Sequence, residues 1–390
     1  MFFPSTGGRR LVVLIRRTVA AAACGTNRLQ PHYATFPSHC FSSAPLARTP
    51  DPDTASYLVA SCGVPHAAAA AASRWVRICS TAKADAVLAL LRHHGFSDAH
   101  IARLLRRAPR LLILDPDKII RPKVEFFESL GIGAAVLAQT NLLMSSLDKH
   151  LVPCVEFLRG ILGTDAKFRA AVSRYPMILQ CSLEKSMRPS VEALRRHGLP
   201  EDAISQLLII KVGVLRMPPS RIAGIFEDLE ATGLPITNPQ FAYGFRVISG
   251  LKRETWLRKV ALFQSFGVSE GELFKSFRKL PQTMARSDES IKKQLHFLVD
   301  ELKLKLSDVM DRPVLMGLSL ENNILPKCAV LSVLMREGRI EQNINLLAPL
   351  VDSSKRFSEK YVLRYAKDVP DVVEAYEGKI KFQGFKDCSF

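Results

Sequence analysis

The chain has 390 residues, 47% of them hydrophobic, and a formal net charge of +17. That size and apolar content suffice for a large core, while the longest apolar runs fall short of the ~18 residues that a membrane-spanning helix needs. Strand-like alternation is scarce, so the composition points to an all-α protein, and its basic balance points to a polyanionic partner.

Residues 1–48 hold six arginines (Arg9, Arg10, Arg16, Arg17, Arg28 and Arg48) and no Asp or Glu. Arg16 and Arg17 interrupt the apolar patch Leu11 to Ile15, which excludes a secretory core and leaves the composition of an organellar transit peptide. His39-Cys40-Phe41-Ser42-Ser43 resembles a plant mitochondrial processing site, with His39 where Arg is often found, and favours the mitochondrion over the chloroplast. Beyond residue 48 the chain still carries 48 basic and 37 acidic residues. Residues 49–81, with Asp51-Pro52-Asp53 and the alanine run 67–72, have no amphipathic pattern and read as a disordered linker or a loose leading helix.

From about Ala82 to residue 375 the chain repeats one plan, clearest between Gly95 and Gly131. Ser97 caps a helix whose apolar residues Ile101, Leu104, Leu105 and Ala108 form one stripe. Pro109 stops it, Leu111 and Leu112 form an apolar plug, and Asp115 and Pro116 open a capped turn. Pro122 suits the start of a second helix carrying Val124, Phe126, Phe127 and Leu130, and Gly131 closes it. Thr140, Pro176 and Pro313 anchor further clear copies, while Lys211, Phe245 and Pro281 anchor weaker ones that lack one or both prolines. Successive anchors lie 31, 36, 35, 34, 36 and 32 residues apart, the period of a stacked helical solenoid of seven to eight units. Residues 376–390 read as a tail.

Sites for catalysis are not legible. There is no Walker loop, Gly-x-Gly-x-x-Gly, Gly-x-Ser-x-Gly or His-Glu-x-x-His. Ser146 to Lys149 and Ser182 to Lys185 match Ser-x-x-Lys but sit at a helix-cap position of the repeat. His93 and His94 fit a helix C-terminus better than a metal pair, and the recurrence of Glu125, Glu156 and Glu192 argues for a structural role. The eight cysteines form no Cys-x-x-Cys and read as reduced thiols in the core. The expectation is a non-enzymatic protein with no cofactor and no metal.

The cations are more informative. Arg103, Arg106, Arg107 and Arg110 lie off the buried stripe of the first helix. Two residues before the anchor, Arg107, Arg174 and Lys279 recur, with Arg106 and Arg278 beside them. Nine residues after it, Lys118, Lys149 and Lys185 recur, and Lys211 sits at an anchor itself. Equivalent positions line up in a solenoid, so these rows are the candidate phosphate contacts. Lys123, Arg159, Arg195 and Arg196, on the second helix, are expected to face outward.

The unit Gly-Phe-Ser, an apolar helix ending in Pro-x-Leu-Leu, a capped turn, then Pro-x-Val-Glu-Phe-Phe and Gly resembles the repeat of the mitochondrial transcription termination factor family in its plant form. The resemblance covers about residues 82–375, including Phe357-Ser358-Glu359-Lys360-Tyr361-Val362 and Tyr376-Glu377-Gly378. It implies a superhelix of repeats, each with two α-helices and a short 3₁₀ helix, around a basic concave groove. It further implies a monomer bound to organellar double-stranded DNA or structured RNA, acting in transcription termination or regulation, intron splicing or ribosome assembly, with no membrane or small-molecule substrate. A protein-interaction scaffold is the alternative of a different class.

Overall fold

The computed structural model describes residues 49–385, and the transit-peptide reading of residues 1–48 lies outside them. Among the described residues the chain is an all-α helical-repeat solenoid with no strand, and no helix is long and apolar enough to cross a membrane. It divides into two compact units, one ending at Leu147 and one beginning at Asp148.

In the first unit the stretch expected to be a linker is instead built. Asp51 caps the helix Pro52–Ala60, a second helix spans His66–Ala72, and Leu58, Val64, Ala69 and Val76 are buried. Alanine, the strongest helix former, needs no amphipathic pattern when its methyl is small enough to pack close. After the helix Thr81–His93, Ser97 Oγ accepts from the His100 N–H while His100 Nδ1 accepts from the Ser97 N–H, a reciprocal cap for the helix Asp98–Arg107. That helix buries Ile101, Leu104 and Leu105. Ala108 breaks from it (φ −134°, ψ 60°), and the 3₁₀ turn Pro109–Ile113 inserts Leu111 and Leu112 into the core. Each fully buried leucine stabilises by about 1.5–3 kcal/mol.

The start of the second helix shows what its proline does. Asp115 caps a wide π turn, Pro116–Ile120, before the helix Arg121–Ser129. Pro122 has no N–H to give to residue 118, and its ring would strike that carbonyl in a regular α-turn; one extra residue in the turn removes the clash. The same wide turn precedes Pro153, Pro189 and Pro326, at Leu147–Leu151, Leu183–Met187 and Leu320–Ile324. The helix Arg253–Ser265 has no proline there and starts without one. Gly131, at φ +72°, closes the unit: its N–H donates to Glu128 O and the next N–H to Phe127 O.

In the second unit the 3₁₀ turns Pro176–Gln180 and Pro281–Ala285 follow the same plan. Two weaker copies depart from the sequence reading. The fourth plug is Val214 and Leu215, in the turn Val212–Arg216, so its anchor is Val212, one residue later than the sequence suggests. Lys211 itself has φ −149° and ψ 70°, the breaking conformation of Ala108, Tyr175 and Leu280. The fifth copy has no 3₁₀ turn: the helix Phe241–Gly250 runs through Phe245 and carries Val247 and Ile248 on its buried face. No proline stops the helix here, although the Val212 copy shows that a break can form without one. Gly244 is needed there because a Cβ would overlap the Leu234 side chain.

The residues expected to form a tail also contribute to packing. Ile380, Phe382 and Phe385 lie against a core that includes Val333, Tyr361 and Val372, and the Phe382 ring meets Phe297 at 6.0 Å.

Candidate nucleic-acid interface

The candidate cations fall into groups with different surroundings. Arg103, Arg106 and Arg107 are exposed on Asp98–Arg107, and Arg110 is exposed on the following 3₁₀ turn. Elsewhere in the first unit Arg92 pairs with Asp98 and Arg121 with Asp117, whereas no carboxylate pairs with any of these four arginines among the described residues. Lys118, Lys149 and Lys185 are exposed on the wide π turns. Ser182 Oγ accepts the Lys185 N–H, so this Ser-x-x-Lys match is a helix cap.

Beyond Arg107, the pre-anchor row is more structural than its charge suggests. Arg174 Nη1 donates to Ile209 O at 2.7 Å and Lys279 Nζ to Asp311 O at 2.6 Å, each reaching the last turn of the next repeat's first helix. Those carbonyls are the unpaired ones of a helix C-terminus, where a cation also suits the dipole. Arg278 is half-buried and donates to Thr232 O at 2.8 Å. Lys211 is half-buried too, and burial, with Arg246 and Arg221 nearby, holds its amine below the ordinary lysine value.

A second row is not evident from sequence reasoning. Fourteen residues after the anchors stand Lys123, Cys154, Ser190, Lys259 and Lys327, with Gln294 one place earlier in its own repeat. All are buried, the three lysines at 7%, 3% and 1% exposure. Lys123 Nζ donates to Leu143 O at 2.8 Å, Ser190 Oγ to Met217 O at 2.9 Å, and Gln294 Nε2 to Leu315 O at 2.7 Å. Lys259 Nζ reaches Arg286 O and, at 2.8 Å, Asp288 Oδ1; Lys327 Nζ reaches Leu350 O at 2.9 Å and Asp352 O at 2.6 Å. Each donor satisfies a carbonyl left open where the next repeat's plug ends. Lys123, expected to face outward, therefore points inward, because a four-carbon stem lets the charge reach that carbonyl through apolar packing. Burial lowers the Lys123 and Lys327 amines from their ordinary value. Arg159, Arg195 and Arg196 are exposed; Arg159 pairs with Asp165 and Arg195 with Glu201.

His94 Nδ1 meets Glu128 at 3.0 Å, and Glu125, Glu156 and Glu192 are exposed. Cys62, Cys154 and Cys328 are buried free thiols, Cys181 is half-buried, and Cys79 is exposed.

The mTERF family model matches residues 88–238 and 244–358, most of the described chain. The chain belongs to the mTERF family. In this mTERF chain the gap between the matched segments, residues 239–243, falls at the start of the helix that runs through its plug. It is 22% identical over 262 residues to the transcription termination factor MTERF8, chloroplastic, of Arabidopsis thaliana, covering 66% of this chain and 51% of that protein. It is 22% identical over 283 residues to the mitochondrial factor MTERF15 of the same plant, covering 71% and 54%. The chain thus spans about half the length of the curated relatives it matches.

Proposed function

We propose that this mTERF chain is a non-enzymatic binder of double-stranded organellar nucleic acid that regulates organelle gene expression, in the first place transcription and its termination. Two relatives carry the name of transcription termination factor, one chloroplastic and one mitochondrial. The observation that carries the reading is the set Arg103, Arg106, Arg107 and Arg110: four exposed guanidinium groups within eight residues and none matched by a carboxylate. Guanidinium groups pair well with phosphate oxygens, and such contacts supply affinity and register while base edges supply sequence preference. Residues 39–43 favour the mitochondrion as the compartment.

The test is fluorescence anisotropy of the full chain with duplex DNA and, separately, duplex RNA across a salt series. The expected result is affinity that falls steeply as salt rises, by a factor of ten or more between about 50 and 200 mM, through counterion release. Affinity that stays flat over that range would overturn the reading in favour of a protein-interaction scaffold. Tighter binding of RNA at every salt concentration would move the target to structured RNA, as for splicing or ribosome assembly.

A further inference from the structure

Many cations of the second unit are already matched. Arg188 pairs with Glu184, Arg195 with Glu201, Lys275 and Lys279 with Asp311, and Lys293 with Glu321, while Arg174, Arg278 and Arg286 donate to carbonyls. The two repeats without the prolines are different. Lys211, at the break after the helix Glu201–Lys211, lays its amine against the helix Phe241–Gly250, with Nζ 3.8 Å from where a Cβ on Gly250 would stand. Arg246 lies one turn before Gly250 on that helix, hence on the same face. Arg221, in the first turn of the helix Pro219–Ala231, is close enough to act on the same amine electrostatically. Arg221 and Arg246 are exposed, Lys211 is half-buried, and among the described residues no carboxylate pairs with any of the three. The carboxylate facing Arg221 is Asp228, half-buried without an ion pair, its acidity weakened by burial against the pull of Arg253 and Arg221.

We infer that Lys211, Arg221 and Arg246 form a phosphate-binding site. A half-buried ammonium with two exposed guanidinium groups close enough to act on it is a concentration of like charge that costs free energy until an anion enters, and a tetrahedral phosphate can take several donors at once. Burial of the Lys211 amine reduces its competition with water, which strengthens the contact. The lack of an ion-paired carboxylate separates this site from matched cations such as Arg195 and Lys293, and the half-buried Lys211 amine separates it from lone exposed cations. Resting on the proposed function, the phosphate belongs to a nucleic-acid backbone, and the site holds one such group at the repeats whose geometry departs from the rest. Gly250 is part of it, because a side chain there would contact the amine.

The test compares the full chain with the triple variant Lys211→Met, Arg221→Gln, Arg246→Gln and with a control of equal charge change, Arg159→Gln, Arg195→Gln, Lys293→Gln, whose cations are exposed but paired. The expected result is a loss of duplex affinity of about tenfold at 0.1 M salt in the first variant, with a salt slope shallower by about one, the signature of one phosphate no longer neutralised. The control keeps its slope. If the wild-type chain binds duplex steeply and both variants behave alike, the site is overturned while the proposed function stands. If the wild-type chain binds neither duplex, the proposed function fails, and inorganic phosphate decides the site. A saturable shift in the Lys211 side-chain NMR signal, identified by its loss in Lys211→Met, upholds it, and no shift overturns it. Should Lys211→Met fail to fold, the double variant Arg221→Gln, Arg246→Gln carries the same comparison, because both side chains are exposed.

Discussion

The repeats anchored at Pro109 and Phe245 place a buried apolar pair at the same two positions after the anchor, Leu111 and Leu112 in one and Val247 and Ile248 in the other, yet their backbones differ. In the first, Pro109 ends the helix and Pro122 forces a wide turn before the next one. In the second, the helix Phe241–Gly250 passes through the plug position and Arg253–Ser265 begins without a wide turn. Both bury a lysine fourteen residues after the anchor, Lys123 and Lys259, on a carbonyl of the next repeat. In this pair of repeats proline goes with the local turn, while the buried donor ties one repeat to the next in both. The two devices are separable.

The sharpest way to break that comparison is Arg258→Pro, which puts proline where Pro122 stands in its own repeat. Arg258 lies inside a regular α-helix with no wide turn to absorb the ring, so the loss should be about 3 kcal/mol, read by urea denaturation. Arg258→Ala separates out the exposed pair with Asp288, which is worth under about 1 kcal/mol. If Arg258→Pro costs no more than Arg258→Ala, the second helix can form the wide turn without its own sequence asking for it.

Next in size is Lys327→Met. It leaves Leu350 O and Asp352 O without their donor in a position that is 1% exposed, and each unsatisfied buried carbonyl costs about 1–3 kcal/mol. A total of about 2–3 kcal/mol is expected, at the low end of that sum because the bond to Asp352 O is only partly buried and water can reach it. The lysine also gives the wild type a pH dependence. Its folded value is lowered by burial, so between that value and the ordinary lysine range the unfolded chain binds more protons, and stability rises with pH through that window. Denaturation midpoints followed as the pH rises toward the ordinary lysine value should climb in the wild type relative to Lys327→Met; parallel curves would assign the shift no energetic weight.

A smaller effect is expected at the pre-anchor row. Arg174→Ala and Lys279→Ala each remove a charged donor from an exposed helix C-terminus and should cost about 0.5–1.5 kcal/mol. Additive losses in the double variant would fit two independent staples 105 residues apart in sequence.

Much of the plan is legible in the sequence because it rests on residues with one strong local effect. Pro109, Pro122, Ser97 and Gly131 each dictate a break, a start, a cap or a stop, and the apolar stripe fixes the buried face. The departures arise where that punctuation is missing: Lys211 reads as an anchor because its neighbours Ile209, Ile210 and Val212 are all apolar, so the register can slip by one. Alanines 67–72 carry no amphipathic signal, since a methyl packs on any side. The buried lysines are hidden for a different reason. Charge predicts exposure, and only the position of the next repeat's carbonyls shows that Lys123, Lys259 and Lys327 have partners inside. Their recurrence fourteen residues after an anchor, alongside Cys154 and Ser190, is the signal that the sequence does hold.

The smallest effect on stability, and the most direct measure of the candidate interface, belongs to Arg103, Arg106, Arg107 and Arg110. All four are exposed off the stripe that buries Ile101, Leu104 and Leu105, and none holds an ion pair among the described residues. Replacing each with Ala should change stability by no more than about 0.5 kcal/mol, since alanine also favours helix at the three helical positions. Duplex affinity should nevertheless fall, with the salt slope shallower by up to about four, close to one for each phosphate that the arginines no longer neutralise. The comparison with Arg174→Ala and Lys279→Ala is what gives the result meaning. Those variants lose stability through carbonyls and should keep most of the slope, because their side chains are already engaged. If instead the quartet keeps the slope and the staple variants lose it, phosphate binding runs through Arg174 and Lys279 and the four exposed arginines are solvated surface.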